Sequence, residues 1–160
     1  MFQDLHLIFW LPYVVLTIHT IEELPGFSAW ATRYFAPMTT YKHAMTQGLM
    51  ILLVLLASYK ASSVGYHGGW VVLTAAFQLH IGLNAIFHVI TTIVFKEYSP
   101  GLLTAITISI PATLFFFFRV NIENRLTSIE LTIALFLGTV IATAAIATLF
   151  LNKKKVIKRG

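Results

Sequence analysis

No cysteine occurs among the 160 residues. Its absence excludes a disulfide-stapled secreted module, a thiolate zinc site, an iron–sulfur cluster and a cysteine nucleophile. Charge is scarce as well. Asp, Glu, Lys and Arg make up 11% of the chain, against about 25% in a soluble globular domain. Five of the eleven basic residues (Lys153, Lys154, Lys155, Lys158 and Arg159) stand in the last eight positions, so no basic patch is left elsewhere for nucleic acid. Such a cluster directly after an apolar run suits anionic head groups at a membrane surface. No stretch alternates with period two, which argues against a membrane barrel. Apolar side chains are abundant: 58% of residues, with a mean hydropathy of +0.81. Disordered chains are poor in these residues.

Charge-free windows run over Leu5–Ile21, His43–Tyr59, Ala61–Phe95, Tyr98–Phe118 and Leu131–Asn152. A spanning helix needs roughly 17–25 apolar residues. The long third window opens with Ser62-Ser63 and Gly65-Tyr66-His67-Gly68-Gly69, which read as a loop. The expectation is an all-α, polytopic membrane bundle of about five helices, near 5–23, 44–60, 70–95, 101–118 and 129–151. Residues 1–151 then form one transmembrane domain and 152–160 a basic tail. The first segment lacks a basic leader and a small-residue cleavage site, so it reads as a retained span. No internal repeat supports an inverted-repeat transporter.

Placing the C-terminus in the cytoplasm puts eight Lys and Arg inside, including Arg33, Lys42 and Lys96. Three, Lys60, Arg119 and Arg125, fall outside. This asymmetry predicts an external N-terminus in the plasma (inner) membrane.

Ionisable groups in a span are costly and mark function by default. The first lie in His19-Thr20-Ile21-Glu22-Glu23. Residues three and four apart share a helix face, so both carboxylates reach the space beside the imidazole. They also sit at the negative end of the helix dipole, which calls for a compensating metal, a histidinium or Arg33. The third helix carries His80, Asn84 and His88, spaced by four on one stripe. His19 lies roughly 9 Å before Pro25 and His88 roughly 12 Å before Lys96, so the two clusters share a depth. His80 lies another 12 Å or so deeper, out of reach of one shared ion. It suits a substrate or proton path, or a plain core role. The turn Tyr98-Ser99-Pro100-Gly101 and the loop Arg33–His43 approach the same level.

The strings His19-Thr-Ile-Glu22-Glu23, Asn84-Ala-Ile-Phe-His88 and Tyr98-Ser-Pro100-Gly101 resemble the HXXEE-domain family of small integral membrane proteins, over roughly residues 1–120. The resemblance implies an enzyme-like polar site but no particular reaction.

Histidine with carboxylates suits Zn, Fe or Mn better than Cu(I). His19, Glu22 or Glu23, and His88 supply the three protein ligands common at catalytic zinc. The remaining carboxylate is then a candidate general base, and Asn84 orients a ligand or polarises a substrate oxygen. No His-Glu-x-x-His string is present, and a di-iron bundle needs more carboxylates. A metal-free alternative pairs a buried carboxylate with His88 for acid–base isomerisation of a lipid. A metal or proton carrier ranks lower, because the other helices offer mainly Thr, Ser and Gln47. A small membrane subunit is a further reading, for which Phe115–Phe118 suits lipid or a partner. Membrane lipids are the expected surroundings, and an amphiphile the expected substrate.

Overall fold

The computed structural model describes residues 6–151; the basic tail, 152–160, lies outside them. Six helices follow in order: α1 Leu11–Glu23, α2 Phe27–Tyr34, α3 Thr40–Val64, α4 Gly69–Phe95, α5 Leu102–Ile122 and α6 Ser128–Leu151. A short 3₁₀ turn, Leu7–Trp10, leads into α1. The four helices α3–α6 are long and apolar enough to cross a membrane. They carry an outward belt of Leu49, Leu52, Ile93, Leu114 and Phe136. The chain is a membrane protein with four spans, or five if α1 and α2 count as one broken span.

Local chemistry sets the boundaries. Pro25 lacks the N–H that would bond the Ile21 carbonyl. The chain therefore bends by 73° between the Leu7–Glu23 segment and α2. The short helix α2 lies where the sequence suggested only a loop. Thr39 caps α3 by accepting from the Lys42 N–H at 3.2 Å. Thr127 and Glu130 form a reciprocal capping box on α6, with bonds of 3.2 and 2.8 Å. Inside α5 the turns widen to π geometry over Ala105–Ser109, just before Pro111, whose ring needs room beside the preceding turn.

α4 is the centre: 61% of its apolar window is buried, against 22–28% in the other three spans. Gly138 lets α6 lie directly on α4; a Cβ there would stand 2.6 Å from the Ala76 carbonyl oxygen. Three packed clusters run along the bundle. One at the far end centres on Phe9 and Phe116, a middle one on Val15, Val54 and Phe77, and one at the α2 end on Phe27, Trp30 and Phe35. The polar residues sit between the middle cluster and the α2 end.

Candidate functional site

α1 delivers His19 and Glu23 one turn apart, and α4 delivers Asn84 and His88 in the same relation. All three ionisable groups are buried: His19 is 1% exposed, Glu23 1% and His88 0%. Glu23 Oε1 lies 3.1 Å from His88 Nε2 and 3.6 Å from His19 Nε2. These atoms form the metal-competent group among the described residues, all within 4.8 Å of one another. The Asn84 amide nitrogen lies 3.1 Å from His19 Nε2 and 3.3 Å from His88 Nε2.

Hydroxyl groups hold the second ring nitrogens. His19 Nδ1 is 2.8 Å from Thr104 Oγ1, whose own hydrogen goes to the Gly101 carbonyl at 3.2 Å. With that hydrogen so placed, a neutral His19 protonated on Nδ1 donates to the hydroxyl and keeps its lone pair on Nε2. His88 Nδ1 is 2.9 Å from Ser99 Oγ. Its Nε2 lies between the Asn84 amide nitrogen and Glu23 Oε1. Two imidazole nitrogens and a carboxylate oxygen surround one point, where a bound cation would take the place of the Asn84 N–H contacts to both rings. Bonds of about 2.0–2.1 Å in a tetrahedron place ligand atoms roughly 3.3 Å apart. The observed 3.1 and 3.6 Å bracket that spacing.

Glu22 faces elsewhere. Its carboxylate accepts from the backbone N–H groups of Gly101, Leu103 and Thr104 at 3.0, 3.1 and 2.7 Å, and from the Tyr98 hydroxyl. An acid at the unfavourable end of α1 thereby neutralises the favourable, positive end of α5. Of the expected residues, His19, Glu23, Asn84 and His88 meet, while Glu22 and Tyr98 hold the turn beside them. That turn is more than a connector. Gly101 has φ +105° and lies against the site: a Cβ would stand 2.8 Å from His88 Cε1 and 2.9 Å from His19 Cε1.

Arg33 does not reach the α1 carboxylates. It pairs with Glu97, which also accepts from Tyr34. This clasp ties α2 to the end of α4. The Tyr34 hydrogen bond, and after it Arg33, hold the Glu97 carboxyl below its ordinary value of 4.5. A depressed carboxyl stabilises the fold above the unfolded value and loses that contribution as pH falls through the folded one. The clasp should therefore hold at neutral pH and open in acid below about 4.5. Amide exchange across Ala31–Tyr34, corrected for intrinsic rates, is expected to quicken in acid, and Glu97→Gln should show the fast rate already at pH 7. Equal protection in the variant and wild type at pH 7 would contradict the clasp.

Two participants carried no distinct sequence signal. His43 and Gln47 are one turn apart on α3 and both approach Glu23 Oε2, His43 Nε2 at 3.6 Å and Gln47 by a hydrogen bond. The spacing of four was the available clue. His43 Nε2 is buried without a hydrogen-bond partner, and its ring stacks on Phe27 at 4.8 Å. His80 Nδ1 is likewise buried without a partner. Burial of that kind normally costs free energy unless something else satisfies the atom.

Both orphan histidines line a cavity of about 680 Å³ that also touches His19, Glu23 and Asn84. Its floor is α4 and its flanks are α3 and α6. Comparison with known proteins supplies a family but no activity. A family model described as a protein of unknown function with HXXEE motif matches residues 10–116. The uncharacterized protein YrkK of Bacillus subtilis (strain 168) is 30% identical over 144 residues, covering 84% of this chain and 88% of the relative. No solved structure matches.

Proposed function

The chain belongs to the HXXEE family, and on that premise we propose that it is a membrane-embedded, metal-dependent enzyme acting on an amphiphile. The observation that carries this reading is the convergence of His19, His88 and Glu23, all buried, with both imidazole–carboxylate distances near tetrahedral spacing. Zn, Fe or Mn suits such a donor set. A divalent cation there would supply Lewis-acid polarisation of a substrate oxygen. Three protein ligands leave a coordination position open, as catalytic sites require. Thr104 and Ser99 orient the two rings from behind. Asn84 is placed to contact a substrate oxygen, and His43, whose Nε2 lies 3.6 Å from Glu23 Oε2, to move a proton. Counting α1 and α2 as one span, the excess of Lys and Arg in the tail and on the α2 side supports a site toward the cytoplasmic leaflet of the plasma membrane, with the N-terminus outside.

One distance favours a second reading. The 3.1 Å between His88 Nε2 and Glu23 Oε1 also suits an imidazolium–carboxylate pair, and such a pair would run acid–base isomerisation without a metal. Titration with Co²⁺ separates the two. Wild type should take up one equivalent with the intense visible bands of low-coordinate cobalt, and His88→Ala should show none. The acid–base reading expects no bands from either protein.

A further inference from the structure

Beyond the cation lies the question of what enters the cavity. Glu23, His43 and His80 supply its polar wall, and Met50, Ile81 and Ile141 its apolar wall. A volume of about 680 Å³ falls within the usual range of about 300–1,000 Å³ for ligand sites. The opening is sideways. Thr46 on α3, and Val140 and Ala144 on α6, line the cavity yet are exposed on the flank of the bundle, where hydrocarbon would lie. From Lys42 to Met50 is eight residues of α3, or about 12 Å. That is somewhat less than half of a hydrocarbon core of about 30 Å.

Lys42 gives the mouth a sign. It lines the cavity in the first turn of α3, it is exposed, and it joins none of the ion pairs among the described residues. The positive end of α3 adds to its charge. His43 and His80 also line the cavity, each 6% exposed, and neither His43 Nε2 nor His80 Nδ1 has a hydrogen-bond partner. A cationic mouth, histidines in the wall beside it and an apolar slot open to the leaflet form one recognition pattern.

From these features we infer that the cavity takes an acyl amphiphile with an anionic head, entering from the leaflet between α3 and α6. The chain lies along Met50, Ile81 and Ile141, and the head rests between Lys42 and His43. This assignment rests on the metal reading, because a Glu23 carboxylate without a cation would repel an anionic head.

The test uses full-length protein in phosphatidylcholine nanodiscs, with a fatty acid bearing a mid-chain diazirine as probe. Irradiation should label α3 and α6 at or beside Met50, Ile141 and Ala144. Dodecanoate, dodecyl phosphate or both should compete, whereas dodecyltrimethylammonium should not. Competition by one anion alone identifies a carboxylate or a phosphate head. Lys42→Gln should lower labelling about tenfold, with Lys42→Arg restoring it, and Ala144→Trp should abolish it by filling the slot. Co²⁺ uptake in these variants should stay at the wild-type level, showing that fold and cluster are intact. Labelling that maps elsewhere, equal competition by the cation, or no change in Lys42→Gln would overturn the inference while leaving the metal reading untouched. Absent Co²⁺ uptake in wild type would instead remove the metal reading.

Discussion

Glu23→Gln is expected to abolish metal-dependent stabilisation while preserving the fold. The substitution keeps the side chain's size and removes its charge. The acid is 1% exposed and stands at the meeting point of His19, His43, Gln47 and His88. Loss of a supporting group outside the ligand set typically weakens metal binding 10–100-fold; loss of the anionic ligand itself should reach at least the upper figure. A cation at 100 times its dissociation constant stabilises a protein by about 2.7 kcal/mol. Wild type should therefore gain several degrees in Tm when Zn²⁺ is added to detergent-purified protein, and Glu23→Gln should gain none. Equal shifts in both would place the ion elsewhere. Glu22→Gln offers a contrast, because Glu22 is engaged by three backbone N–H groups of the α5 start. Its loss should lower Tm in the absence of metal and leave most of the Zn²⁺-induced gain in place.

Gly101→Ala is expected to damage fold and site together. The backbone at φ +105° lies in a region that side chains strongly disfavour, a strain of about 1–3 kcal/mol. The new methyl would also press on His19 Cε1 and His88 Cε1 from 2.9 and 2.8 Å. Either the turn shifts and releases Glu22 and Ser99, or the rings move off their shared point. Gly48→Ala provides the internal standard: it lies within α3, and a Cβ there meets nothing within 4 Å. Removing a helical glycine at an open position should stabilise by about 0.5–1 kcal/mol. Thermal unfolding should thus show opposite signs for the two substitutions, with metal uptake lost only in Gly101→Ala. A Gly101→Ala protein with wild-type Tm and full metal uptake would contradict the close approach.

Much of this arrangement was legible from residue types. Charge-free windows located α3 to α6 because a lipid-facing helix must be apolar over its whole length. The i, i+4 spacing within His19–Glu23 and Asn84–His88 put each pair on one face, and equal depth from Pro25 and Lys96 brought the pairs to one level. Other features were not legible, for physical reasons. α2 holds Arg33 and two other polar residues in eight positions, so hydropathy does not mark it. Glu22 and Glu23 are adjacent and alike in sequence; the position of the α5 start alone separates a turn-holding acid from a site acid. Thr104 resembles every other threonine of the spans. Thr17, Thr74, Thr107 and Thr132 bond carbonyls of their own helices, whereas Thr104 also bonds His19 across helices. Arg33 was the natural counter-charge for the α1 acids until Glu97, two residues past the end of α4, proved to be its partner.

Elemental analysis of wild-type protein, purified without chelator beside His19→Ala, tests the central claim most directly. Close to one equivalent of a single transition metal in wild type, falling to background in the variant, is the predicted result. Well under one equivalent of any transition metal in wild type, with no gain after dialysis against Zn²⁺, Fe²⁺ or Mn²⁺, would contradict it.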